Sequence, residues 1–221
     1  NISVAVDKKR RRGINKLIEH GVNLIILDDA FQHRKVIPTY SLLLSDYSNL
    51  YFNDYLLPRG SLRESKKGSK RADSIVITKC PENFSQSDKN YLIDRVKLSS
   101  NQHIFFSKIK YSEELYSSSD TLNIMKLSNK KVNVVTGIVN SEVLISFLED
   151  KNITVEHFKY PDHFDYKEKD ILKFKDNITI TTEKDYSKLR KFNIENLYYL
   201  PISVDISEEK IFIETIRDRI I

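Results

Sequence analysis

The chain has 221 residues, 40% hydrophobic and 30% charged, with a formal net charge of +5. That balance excludes a disordered polymer and is enough for one large or two small domains with real cores. No apolar run approaches the ~20 residues of a membrane-spanning helix, though a peripheral membrane role stays open, and the single cysteine, Cys80, excludes an internal disulfide and a cysteine-built metal site.

Asn1 is not a natural start and no signal peptide precedes it, so the chain is expected to begin inside a domain. The first predicted strand is 2–6. A helix over 11–19 follows, closing at Gly21, where a C-cap glycine is expected. The run Leu24-Ile25-Ile26-Leu27 predicts a strand over 23–27 that is buried on both faces, as in a parallel sheet. Strands over 41–45, 74–78 and 103–107 come next, with a helix over 86–96 between the last two. Strand–helix alternation lapses over 108–130, which reads as a linker, with a small β-ribbon as one form it can take. Alternation then resumes: strands over 131–136, 154–158, 177–181 and 197–200, and helices over 141–148, 167–172, 184–191 and 208–220. The expected fold is α/β, with mostly parallel sheets in two layered domains, 1–108 and 131–221, joined by 109–130.

Positive charge is unevenly placed. Lys8 to Arg12 form one block, and Arg59, Arg63, Lys66, Lys67, Lys70 and Arg71 a second. Such blocks suit phosphates on a nucleotide, a lipid surface or nucleic acid, and equally a solvated face.

Four strings carry candidate chemistry. Asp28-Asp29-Ala30-Phe31-Gln32-His33 follows an apolar strand, which puts two carboxylates at the C-terminal edge where open α/β sheets bind ligands. Adjacent carboxylates repel unless a cation shares the space, so Asp28 and Asp29 are candidate Mg²⁺ ligands, with Gln32 and His33 placed to orient water or phosphate oxygens. A strand end with a helix N-cap is the plainer alternative. In Leu57-Pro58-Arg59-Gly60-Ser61-Leu62-Arg63, a turn set by Pro and Gly presents Arg63 as a bidentate phosphate clamp, or simply as part of an exposed basic loop. In Tyr160-Pro161-Asp162-His163, a histidine beside a carboxylate can act as or assist a general base, although most lone histidines are structural. Thr181-Thr182-Glu183-Lys184-Asp185 ends a strand. It offers Lys184 as a nucleotide contact, while an N-cap by Thr182 explains the string equally well. Thr78-Lys79 is a comparable strand-end pair, a weaker candidate for nucleotide contact.

Taken in order, these strings resemble the tetraacyldisaccharide 4'-kinase family. The match runs through Val4-Ala5-Val6 with Arg10, Asp28 to His33, Leu57-Pro58 with Gly60, Leu62-Arg63-Glu64, and Arg71-Ala72-Asp73 with Thr78-Lys79. It continues through Gly137-Ile138 with Asn140, Asp162-His163, and Thr182 to Asp185. The resemblance implies two α/β/α domains, the first P-loop NTPase-like. It also implies ATP-dependent phosphorylation of the 4'-hydroxyl of a lipid A disaccharide precursor, with Mg²⁺ as cofactor. It assigns Asp28 and Asp29 to the Mg–ATP site, Arg10 and Arg63 to phosphate, and His163 to activating the sugar hydroxyl, with Asp29, Arg63 and His163 the catalytic set. It further implies peripheral association with the cytoplasmic face of a Gram-negative inner membrane, and no nucleic-acid partner.

Ala30 stands where the family usually has Gly, and Arg59 where it has small residues. No G-x-x-x-x-G-K-[ST] loop occurs. By resemblance that loop, the histidine's partner aspartate and a membrane-associating segment precede Asn1, so this stretch alone is expected to be inactive and to leave sheet edges unpaired. Two rivals compete with the kinase: a nucleotide-sugar-dependent glycosyltransferase with two Rossmann-like halves, and a basic module that binds phosphate-rich surfaces.

Overall fold

A computed structural model describes residues 2–174 and 176–220. The chain forms two compact units, residues 1–108 with 205–221, and residues 109–204. The element order is α1 (Arg10–Glu19), β1 (Leu42–Asp46), β2 (Ser74–Thr78), α2 (Gln86–Val96), β3 (His103–Tyr111), β4 (Glu114–Tyr116) and β5 (Thr121–Asn123). There follow β6 (Lys131–Thr136), α3 (Glu142–Glu149), β7 (Thr154–Lys159), α4 (Glu168–Ile171), β8 (Thr179–Thr181), α5 (Glu183–Leu189), β9 (Leu197–Tyr199), β10 (Ile202–Ile206) and α6 (Glu209–Ile220).

The first sheet has the order β1-β2-β3-β10, with β1, β2 and β3 parallel. Alternation along β2 sorts its side chains between two covered faces. Ile75 and Ile77 pack with Leu92 of α2 and with Phe106. Val76 pairs in register with Phe105 on the other face, where Phe212 of α6 meets Phe105 edge-on at 5.0 Å. Helix α2 starts at a capping box: the Ser85 hydroxyl accepts from the Asp88 N–H at 3.2 Å, and the Asp88 carboxylate accepts from the Ser85 N–H at 2.8 Å. Cys80 is buried in this core, and burial pushes its thiol pKa up. It is expected to resist alkylation by iodoacetamide in the native protein and to react once denaturant opens the core.

The second sheet has the order β5-β4-β9-β8-β6-β7; its β7, β6, β8 and β9 are parallel, and the β4–β5 ribbon joins antiparallel through β9. Strand β6 lies between two neighbours, which is why Val132, Val134 and Val135 are fully buried. Val132 and Val134 pack with Leu115, Leu148 and Ile180, and Val135 faces Tyr166, Phe174 and Leu189. Both sheets are thus mainly parallel, as read from the sequence, and the stretch read as a linker carries the β4–β5 ribbon, which lies within the second unit and belongs to its sheet.

Three expectations are corrected. Residues 2–6 and 23–27 are not strands, and 23–27, expected to be buried, is exposed or half-buried, with Ile26 at 86%. A parallel strand exists only through its ladder, and no described residue pairs with either segment. The strand expected over 177–181 shortens to Thr179–Thr181. There the Thr179 hydroxyl and the Asn133 amide instead donate to the Phe174 carbonyl, at 2.9 and 2.8 Å. A strand not expected from the sequence, β10, lies beside β3.

Among the described residues, no helix is long and apolar enough to cross a membrane.

Candidate active site

In the first unit the acidic pair sits on an irregular loop after the extended segment. Asp28 and Asp29 are both exposed, and Asp29 takes a left-handed backbone, φ 43°, uncommon for a residue with a β-carbon. Two arginines converge on it. Arg10, in the first turn of α1, donates through Nη2 to the Asp29 carbonyl at 3.2 Å. Arg63 Nη1 lies 3.5 Å from Asp29 Oδ2. Arg10, Asp29 and Arg63, chosen separately from the sequence, are therefore brought together. Gln32 is exposed and His33 half-buried in the turn that follows, where the His33 N–H donates to the Ala30 carbonyl at 2.8 Å.

A second tier of charge holds this loop, and sequence reasoning missed it. Glu64, adjacent to Arg63, accepts from Arg71 through both carboxylate oxygens at 2.8 and 2.9 Å, and from Arg34 at 3.0 Å. Arg71 also donates to the Phe31 carbonyl at 3.1 Å and lies over the Phe31 ring at 4.8 Å. Glu64 thereby ties the 28–33 loop to the turn that presents Arg63. Gly68 leaves room beneath it: a β-carbon there would come within 2.5 Å of Glu64 Oε2 and push the carboxylate aside. Glu64 and Arg71 were both quoted as part of motifs. Their pairing across seven residues, folded back by the 3₁₀ turn Lys66–Arg71, was not visible in either string.

The Arg71 hydrogen bonds, with Arg34 adding to them, hold the Glu64 carboxyl below its ordinary value of 4.5. A depressed carboxyl pKa contributes stability that is present above 4.5 and lost as pH falls through the lowered folded value. Glu64→Gln is therefore expected to be less stable than the parent by about 1 kcal/mol near neutrality, the upper range for a partly exposed pair. The gap should close below pH 4.5, as read from thermal melts across that range.

Thr78 and Lys79 lie at the C-terminal ends of the parallel strands. Lys79 Nζ is 2.6 Å from Asp46 Oδ2, and Thr78 donates to the Ser45 carbonyl at 3.4 Å.

In the second unit, His163 sits at the tip of an exposed loop with φ 59°. Its N–H donates to Asp162 Oδ1 at 3.0 Å, and its Nε2 is 3.6 Å from Asp162 Oδ2. Lys184 Nζ reaches Asp162 Oδ1 at 2.5 Å, and this bond is the largest cause of the lowered Asp162 pKa. Lys184 thus contacts the carboxylate beside His163.

Behind Lys184, Asp185 is fully buried. Its Oδ2 accepts from the Gly137 N–H at 2.8 Å and from the Thr182 hydroxyl at 3.0 Å, while Thr182 Oγ1 caps α5 by accepting from the Asp185 N–H at 3.2 Å. Asp185 Oδ1 and the Tyr166 hydroxyl have no partner among the described residues. Burial first, and the Asp185 charge second, push the Tyr166 hydroxyl pKa up. Gly137 allows this approach: a β-carbon there would meet Asp185 Oδ1 at 3.0 Å and the Tyr166 hydroxyl at 3.1 Å.

A family model described as tetraacyldisaccharide-1-P 4'-kinase matches residues 1–221. A tetraacyldisaccharide 4'-kinase of Flavobacterium psychrophilum is 40% identical over 96% of this chain and 64% of its own length. One from Flavobacterium johnsoniae is 36% identical over 91% and 61%. Among solved structures, LpxK from Aquifex aeolicus, crystallised in complex with ATP, matches with a TM-score of 0.69 and 25% identity, over 96% of this chain and 62% of that one. The chain spans a little under two thirds of the length of the curated relatives it matches.

Proposed function

The chain belongs to the tetraacyldisaccharide-1-P 4'-kinase family, and from that premise we propose that it is part of an enzyme that transfers the γ-phosphoryl group of ATP to the 4'-hydroxyl of a tetraacyldisaccharide 1-phosphate, a lipid A precursor. The observation that carries this reading, beyond the family itself, is the convergence of Arg10 and Arg63 on Asp29. Phosphoryl transfer demands cations to neutralise phosphate oxygens and a carboxylate to hold the metal beside them.

Asp28 and Asp29 offer neighbouring hard oxygen donors, and no group of three His, Cys, Asp or Glu residues is assembled among the described residues. Two carboxylates suit Mg²⁺ in a nucleotide site, where phosphate oxygens and water complete the coordination shell. Asp28 and Asp29 would hold that ion, which would supply positive charge to offset that of ATP, while Arg10 and Arg63 bind and orient phosphate. His163, which lies beside Asp162, assists removal of the proton from the sugar hydroxyl. Gln32 and His33 contribute to phosphate orientation, and Thr78 and Lys79 to the nucleotide.

The loop that grips ATP is placed, in this reading, in the part of the relatives' length that this chain does not match. Action on a lipid implies peripheral association with the cytoplasmic face of the inner membrane of a Gram-negative bacterium. The glycosyltransferase and phosphate-binding-module readings are not favoured by the family match.

The test is to incubate a protein extended upstream of Asn1 to the relatives' length with γ-labelled ATP, Mg²⁺ and tetraacyldisaccharide 1-phosphate. Label is expected in the lipid product and its transfer is expected to stop when EDTA removes the metal. Absence of transfer from an extended protein that binds ATP would overturn the proposal, as would transfer of a sugar in its place.

A further inference from the structure

Three lysines reach the His163 loop from one side. Lys184 and Lys188 are four residues apart on α5, the spacing that lines up one face of a helix, and Lys191 follows in the 3₁₀ turn after it. Lys184 Nζ is 2.5 Å from Asp162 Oδ1, Lys188 donates to the Phe164 carbonyl at 3.0 Å, and Lys191 Nζ lies 3.6 Å from Asp165. The base of the loop is already rigid, since Tyr160, Phe164 and Tyr166 pack as a triangle with ring centroids 4.7 to 5.3 Å apart.

The tip lacks that support. His163 has a 78% exposed side chain and a left-handed backbone, and its N–H is held by Asp162 Oδ1. An exposed aspartate rotates freely unless something pins it. Lys184 occupies Oδ1, which leaves Oδ2 facing the imidazole. Lys184 itself stands on a fixed support, because the next residue, Asp185, is buried and bonded to Gly137 and Thr182.

We infer that Lys184 is a positioning residue for the Asp162–His163 pair and not a contact to nucleotide. The inference rests on the reading of His163 as the base-assisting group. Both members of the Lys184–Asp162 pair are 39% exposed, so the pair adds little to global stability, and its loss acts on the loop tip alone. Lys184 is also the first cause of the lowered Asp162 pKa, which is a second sign that the carboxylate is engaged by it.

Lys184→Met, Lys184→Arg and His163→Asn are compared in the upstream-extended kinase, and the 221-residue chain is used for nuclear magnetic resonance. Lys184→Met is expected to lower kcat by roughly tenfold, the cost of loosening a reacting group. It should leave the KM for ATP and the melting temperature unchanged, with Lys184→Arg restoring most of the rate. In the 221-residue chain, Lys184→Met should shift the His163 amide signal and its HN–Hα coupling, which reports φ, while signals of the other histidines stay put. A raised KM for ATP with kcat intact would make Lys184 a nucleotide contact and overturn the inference. Unchanged His163 signals in Lys184→Met would overturn it as well. If His163→Asn leaves kcat intact, the base-assisting role falls separately, and the resonance comparison still decides whether Lys184 holds the loop tip.

Discussion

Asp185→Ala is expected to cost about 3 kcal/mol of unfolding free energy, seen as a lower urea midpoint with unchanged m-value. The carboxylate serves two partners in a site with no solvent access. Its removal strands the buried Gly137 N–H, worth ~1–3 kcal/mol, and takes the acceptor from the Thr182 hydroxyl, worth ~1 kcal/mol, while the backbone bond by which Thr182 caps α5 remains. Asp185→Asn should be milder. An amide keeps one carbonyl oxygen, whose two lone pairs can still accept from Gly137 and Thr182, and its NH₂ can donate toward the Tyr166 hydroxyl where the parent has a carboxylate oxygen. Equal losses in the two variants would show that charge, not hydrogen bonding to Gly137, is what the fold draws from this residue.

His163→Asn is expected to lower kcat of the upstream-extended kinase by roughly 10²–10⁴, the usual range for losing a group that moves a proton in the transition state. Asparagine is the informative choice because it tolerates the left-handed backbone at this position better than most residues. The loop tip can then keep its shape while losing its base. Since the side chain is largely exposed, the melting temperature should not move. A kcat within a few-fold of the parent would remove His163 from the proposed chemistry, and a fall in melting temperature would assign it a structural role instead.

Elements whose sequence signals were local were legible. Helix α2 follows from Ser85 and Asp88 at capping-box spacing, and β6 from the mostly apolar stretch Val132 to Val135, which suits a strand covered on both sides. The same apolar logic misled over 23–27. Hydrophobicity reports what a segment needs, and a strand also needs a neighbour to pair with. Strand β10 was hidden for the opposite reason: Ile202, Ser203, Val204 and Asp205 are exposed at the edge of the sheet, so burial left little mark on their pattern.

Around the acidic pair, Asp29 and Arg63 could be named from their motifs, and Arg10 through the family resemblance. The residues that hold them could not. Glu64 reaches Arg34 across 30 residues, Arg71 reaches the Phe31 carbonyl across 40, and Lys184 reaches Asp162 across 22. Such pairings are set by topology, and a lysine or glutamate that serves them looks the same in sequence as one that faces water.

Residues 205–220 return to the first unit: β10 lies beside β3, Phe212 covers Phe105, and Arg219 ion-pairs with Asp73 at 3.1 Å. On a ribosome, that closing strap emerges only after the whole of 109–204 has been made, a delay of roughly 5–20 s at ordinary elongation rates. During that interval β3 has an open edge and the Val76–Phe105 face lacks its helix. The inserted unit, whose strands and helices are contiguous in the chain, has everything it needs to fold first. Synthesis order therefore leaves the first unit incomplete until β10 and α6 arrive to close it.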